Sequence, residues 1–176
     1  MATTQITADM VKALRADTDA GVMDCRRALE QADGDMQKAK AILREKGIAS
    51  AGKKAERETK QGLVEAYIHG GRIGALVEVN CETDFVARTD QFKQLARELA
   101  MHVMAKNPRF LTKDEATDEF RQREQYTEQQ LDAMSLMSQA YVRDESKTIE
   151  QLIKETIATT GENIRIGRFA RFELGK

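Results

Sequence analysis

Tryptophan is absent from this chain, and its 176 residues include one proline and two cysteines. Aromatic residues make up only 5%, too few for the base-stacking platform of a single-strand nucleic-acid binder. Neither sign of charge prevails: 28 Lys and Arg stand against 29 Asp and Glu, a formal net charge of −1. Non-specific nucleic-acid binding needs a basic surplus or a basic patch. The surplus is missing, the patch stays open, and no direct nucleic-acid partner is expected. No apolar run approaches the roughly 20 residues that cross a bilayer, so no membrane partner is expected either. Met1-Ala2-Thr3-Thr4-Gln5 does not lead from a basic segment into an apolar one, as a secretory leader would. Cys25 and Cys81 lie in separate segments, which makes no disulfide framework and fits a reducing cytoplasm. With His69 and His102 they form the soft ligand set, at spacings that match no zinc pattern. No nucleophile–base pair accompanies them, so no metal, no cofactor and no enzyme activity are expected.

The chain does hold enough apolar residues for a core, 41%, and its length suits one or two domains. Residues 1–50 read as a three-helix bundle. Thr7 caps a first helix with Met10, Val11 and Leu14 at helical spacing. Residues 17–21 break it, and Val22, Cys25, Ala28 and Leu29 mark a second helix. Asp33-Gly34 is a turn, and Asp35 caps a third helix carrying Met36, Ala39, Ile42 and Leu43. Gly47 falls where a left-handed stop glycine belongs. Residues 51–61 are small, charged and polar and read as a linker.

Residues 62–176 read as an α+β core domain. Segments 62–69 and 72–80 flank Gly70-Gly71, which suits a type I′ hairpin turn. A two-residue loop there pairs Ile68 with Ile73, Ala66 with Ala75 and Val64 with Val77 on one buried face. A helix over 90–106 follows, capped by Thr89 or Asp90 and stopped at Asn107-Pro108. Phe92, Leu95, Ala96, Leu99 and Val103 form its stripe. Residues 112–137 read as one polar helix, with Thr112 and Glu115 resembling a capping box. Thr148 and Gln151 form a cleaner box, opening a helix that Gly161 ends. Residues 163–174 read as a strand whose Phe169 breaks parity, through a bulge or two covered faces. The expected fold is a three-stranded antiparallel sheet with helices on one side, preceded by the bundle.

The junction at 80–88 is the one stretch that looks like a site. An apolar strand ends at Asn80, and Asp84 and Phe85 follow side by side before helix resumes. A rigid corner can hold an acid and an aromatic outward as a probe for a partner. The plainer alternative makes Asp84 a helix cap and Phe85 a core anchor. Gly70-Gly71-Arg72-Ile73-Gly74 is only a faint phosphate-loop match, lying between strands rather than before a helix.

Several motifs together carry a resemblance. Asp17-Thr18-Asp19-Ala20-Gly21-Val22-Met23-Asp24-Cys25-Arg26-Arg27-Ala28-Leu29 resembles T-G-A-G-M-M-D-C-K-K-A-L. Gly34-Asp35-Met36-Gln37-Lys38-Ala39 resembles G-D-x-x-K-A. Glu78-Val79-Asn80-Cys81-Glu82-Thr83-Asp84-Phe85-Val86-Ala87-Arg88 is similar to E-V-N-C-E-T-D-F-V-A-R almost letter for letter. Gly161-Glu162-Asn163-Ile164, with Arg168-Phe169-Ala170-Arg171-Phe172, resembles the end of the same pattern. The family is that of elongation factor Ts, in its short bacterial form.

The resemblance implies a guanine-nucleotide exchange factor for elongation factor Tu, a translation GTPase, with a bundle similar to a ubiquitin-associated domain. It implies that Val22 and Met23, and less strongly Leu14, dock the bundle on the partner. It implies that Thr83, Asp84, Phe85 and Val86 dislodge Mg²⁺ from that partner. A homodimer or a 2:2 complex with the partner stays open. Two departures from the pattern stand out. Asp19 replaces a glycine at the docking corner, and a segment resembling G-K-P-x-x-I-x-E-K-I-x-x-G-R-L is missing between the middle and last core helices.

Overall fold

Thr7 begins the first helix by accepting a hydrogen bond from the Met10 N–H at 3.3 Å. The computed structural model describes residues 5–18 and 20–176; Asp19, and with it the question of its extra charge, lies outside them. Helices α1 (Ala8–Thr18), α2 (Val22–Gln31) and α3 (Met36–Lys54) form the bundle. Asp33 and Gly34 take positive φ angles in the α2–α3 turn. The Asp35 carboxylate then caps α3 by accepting from the Gln37 and Lys38 N–H groups. The Lys38 N–H, more than any other group, holds that carboxyl below its usual range. The bundle core is small: Leu14, Cys25, Ala28, Leu29, Ala32, Ala39 and Leu43 are buried together.

Helix α3 does not stop at Gly47. It runs on to Lys54 and packs along α8 (Ile149–Thr160). Glycine serves the crossing rather than a cap, since a Cβ at position 47 would sit 2.5 Å from the Ala158 Cβ. Beyond it Ala51 is buried in the main core and the Lys54 ammonium donates to the Ile157 carbonyl at 3.4 Å; just before it, Arg44 pairs with Glu155 at 2.7 Å. A stretch with weak helical pattern is helical because another helix covers it.

The sheet is antiparallel, in the order β1 (Gln61–His69), β2 (Ile73–Cys81), β5 (Ile164–Glu173). Gly70 and Gly71 both have positive φ, and the Arg72 N–H donates to the His69 carbonyl at 3.0 Å. One more residue joins the loop, however: His69 pairs with Ile73, Tyr67 with Ala75, and Leu63 with Val79. Arg72 is drawn off to the third strand, where its carbonyl accepts from the Leu174 N–H at 2.8 Å. This slip of one residue moves the whole of β1 to the other parity. Leu63 and Tyr67 pack on the core, whereas Val64 and Ile68 are 64% and 70% exposed. The expected buried set on β1 is therefore wrong, while Ala75, Val77 and Val79 on β2 are buried as expected.

Strand β5 resolves the parity of Phe169 through a bulge. Glu78 pairs with Arg168 and Val79 with Ile166, leaving Gly167 as the extra residue. A Cβ on Gly167 would lie 2.7 Å from the Asn80 Oδ1 and 2.8 Å from the Glu78 Oε1. Helix α5 (Asp90–Lys106) lies across β1 and β2, with Thr89 as its N-cap and Asn107 in the left-handed conformation at its end. Phe92, Leu95, Ala96, Leu99 and Val103 are all buried.

The segment expected as one helix over 112–137 is broken. A short 3₁₀ turn (Lys113–Glu115) precedes α6 (Asp118–Glu124) and α7 (Glu128–Met134). Thr112 makes no side-chain cap, and Glu115 instead accepts from the Leu111 N–H at 2.9 Å. Thr117 and Thr127 supply the caps, the latter in a full capping box with Gln130, and Gln125 turns left-handed between them. A small hairpin, β3 (Ala140–Tyr141) with β4 (Asp144–Thr148), leads into α8. The Thr148–Gln151 capping box and the Gly161 stop are both present there. The fold is α+β: a three-stranded antiparallel sheet packed on helices, with one sheet face uncovered among the described residues.

Candidate functional site

At the end of β2 the chain turns into a single helical turn, α4 (Asp84–Ala87). Thr83, not Asp84, is its N-cap, accepting from the Val86 N–H at 3.4 Å. That frees Asp84 and Phe85 from a structural role. Phe85 is 77% exposed, the most of any large apolar side chain among the described residues, so the core-anchor alternative does not hold. Asp84 is exposed too and pairs with Arg88 one turn on, at 2.8 Å. The other half of the turn points inward: Val86 is 5% exposed and packs in the main core with Ala87. The four residues Thr83, Asp84, Phe85 and Val86 thus divide into a cap, an outward acid–aromatic pair and an anchor.

The turn is fastened from below. The Cys81 thiol donates to the Thr83 carbonyl at 3.1 Å. Burial above all, then the Glu162 charge, pushes that thiol's pKa up; Cys81 is a structural donor rather than a reactive thiolate. The loop after α8 contributes a second fastening. Glu162 accepts from the Thr83 N–H at 3.0 Å and from its hydroxyl at 2.6 Å. Glu82 in return accepts from the Asn163 N–H at 2.6 Å. The buried Asn163 amide donates onward to the Ala55 and Arg57 carbonyls at 3.3 and 2.8 Å. Nothing local in the sequence assigns Gly161-Glu162-Asn163 a task; its adjacency to the corner appears only when β5 pairs with β2.

The bundle carries a second exposed apolar feature. Val22 and Met23, at the start of α2, are 52% and 57% exposed. They flank a shallow groove with Ile6, Val11, Lys12 and Arg26. Leu14, also predicted as a contact, is wholly buried in the bundle core and supports the surface from beneath.

Among the described residues no group of His, Cys, Asp and Glu is placed to hold a metal ion, and no helix is long and apolar enough to cross a membrane. His102 is buried, with Nε2 3.0 Å from the Gln139 Oε1 and Nδ1 accepting from the Val142 N–H at 3.2 Å. Both nitrogens are spent on structure.

Comparison with known proteins gives a consistent picture. The family model described as "Elongation factor TS" matches residues 3–134. A protein named elongation factor Ts from Thermosynechococcus vestitus is 47% identical over 197 residues, covering 98% of this chain and 66% of its own length. One of the same name from Thermotoga neapolitana is 44% identical over 194 residues, covering 98% of each chain. A third, from Carboxydothermus hydrogenoformans, is 47% identical, covering 97% of this chain and 90% of its own. These alignments are longer than the 176 residues of this chain, so the relatives carry residues that this chain lacks.

Proposed function

The chain belongs to the elongation factor Ts family, and from that premise we propose that it promotes GDP release from elongation factor Tu. The observation that carries this reading is the outward Phe85 on an anchored turn. Phe85 acts as a wedge at the partner's Mg²⁺ and phosphate site, with Asp84 as its polar companion. Val86 holds the turn down, and Thr83 caps it. Val22 and Met23 dock the bundle on the same partner, with Leu14 beneath them. In this reading residues 1–50 and 62–176 are two working parts, joined through 51–61. No bond is made or broken in this chain, which acts in the cytoplasm and touches no nucleic acid.

Nucleotide and Mg²⁺ together clamp the phosphate loop of a P-loop GTPase. A factor that distorts that loop weakens nucleotide binding, and by linkage the nucleotide weakens the factor by the same amount, typically about 1–3 kcal/mol. Fresh GTP then expels the factor. Titrating the purified chain against elongation factor Tu, with and without GDP, tests this reciprocity. The proposal expects a loss of affinity with GDP equal to the factor's own weakening of GDP. An affinity that ignores nucleotide contradicts it and makes the chain a docking module.

The uncovered sheet face suggests how two copies meet. Val64, Ile68, Leu76, Phe172 and Leu174 are exposed on it, an apolar patch of the kind that marks an interface. A homodimer through this face, or a 2:2 complex built on it, would cover these side chains.

A further inference from the structure

We propose that Glu162 is a positioning residue for exchange, holding the Asp84–Phe85 turn in the pose that enters the partner. The inference rests on the exchange reading above.

Thr83 must do two things at once. Its hydroxyl oxygen accepts from the Val86 N–H to start α4, and its hydroxyl proton needs an acceptor. Glu162 provides one at 2.6 Å and takes the Thr83 N–H with its other oxygen at 3.0 Å. A charged acceptor on two donors of one residue fixes orientation more tightly than a single neutral bond. The helical turn that follows is only four residues long (Asp84–Ala87), too short to hold its own geometry. Its pose comes from the Val86 anchor, the Cys81 thiol and this carboxylate. The carboxylate is itself placed by a reciprocal bond, since the next residue, Asn163, donates its N–H to Glu82. The two corners, 82–83 and 162–163, therefore clasp one another across the sheet end. Glu162 has no such use for the core: its partners are on the exposed side of the turn that carries Phe85.

A brace of this kind acts on the fraction of molecules whose turn is competent. Losing it lowers apparent affinity by that fraction and leaves the rate from the bound state alone. The test is GDP release from elongation factor Tu, measured against concentration of the full chain. The variants are Glu162→Ala, Glu162→Gln, Phe85→Ala and the double variant Glu162→Ala, Phe85→Ala. Thermal unfolding of each is followed in parallel. Glu162→Ala should raise the half-saturating concentration about tenfold with little change in the plateau rate. Glu162→Gln keeps the volume and one acceptor oxygen and should lie between. In the Phe85→Ala background, Glu162→Ala should lose most of its effect, because there is no wedge left to position. A Glu162→Ala chain with unchanged half-saturation overturns the inference. So does an effect of equal size with and without Phe85, which makes Glu162 a contact in its own right. If Glu162→Ala fails to fold, the same criteria apply to Glu162→Gln. A silent Phe85→Ala overturns the wedge, and a wild-type chain that does not speed GDP release overturns the exchange reading, which separates those failures from this one.

Discussion

His102 shows what one buried side chain contributes. Its Nδ1 accepts from a backbone N–H, so the neutral ring carries its proton on Nε2 and gives it to Gln139. Burial pushes its pKa below the ordinary 6.5. Protonation would add a proton to Nδ1 and break the Val142 bond. The folded form prefers the neutral ring, so the unfolded chain takes up the proton first as pH falls. Stability is therefore highest above about 6.5 and falls as pH drops below it, levelling off beneath the folded-state pKa. Urea unfolding between pH 7.5 and roughly 5 should show this decline, and His102→Asn should flatten it. The variant should also lose about 1–3 kcal/mol at neutral pH, from the Gln139 and Val142 partners left short. Phe85 behaves oppositely. It is exposed, so Phe85→Ala should change unfolding free energy by no more than about 0.5 kcal/mol.

At the scale of elements, the α3–α8 crossing depends on Gly47. Alanine there gains about 1 kcal/mol of helix propensity but places a methyl group against Ala158, and overpacking costs about 1–3 kcal/mol. Gly47→Ala should therefore be destabilising on balance. Adding Ala158→Gly removes the clash while the two propensity terms cancel, so the swapped pair should recover most of the loss in urea unfolding. The sequence made several elements plain: the Thr148–Gln151 box, the Asn107-Pro108 stop, the α5 stripe and the Gly70-Gly71 turn were legible because each rests on local chemistry. The β1 register was not. Both parities of β1 carry apolar residues, Leu63 and Tyr67 on one and Val64 and Ile68 on the other. The choice is made by Arg72 pairing with β5, about a hundred residues away in sequence, a long-range contact that no local pattern encodes. The helix past Gly47 was hidden for the same reason, since α8 covers it. The split of 112–137 was legible in principle: Thr127 with Gln130 is a capping-box signature, passed over in favour of Thr112 with Glu115. At the corner, Asp84 and Phe85 could be singled out from sequence, whereas the inward turn of Val86 and the grip of Glu162 required the fold.

At the scale of the whole molecule, two exposed apolar features stand on separate supports, Val22–Met23 on the bundle and Phe85 on the core. Helix α3 joins those supports, buried at Ala51 and ion-paired at Arg44. The uncovered sheet face is a third feature. If it joins two copies, Ile68→Glu with Leu76→Lys should convert a dimer to a monomer in analytical ultracentrifugation and abolish the rise of melting temperature with chain concentration. A wild-type chain that is already monomeric removes that part of the account. The central claim concerns the wedge. Its most direct measurement is the rate of GDP release from elongation factor Tu at saturating concentrations of wild-type and Phe85→Ala chains. The account predicts a plateau about tenfold slower or more for the folded variant; equal plateau rates would contradict it.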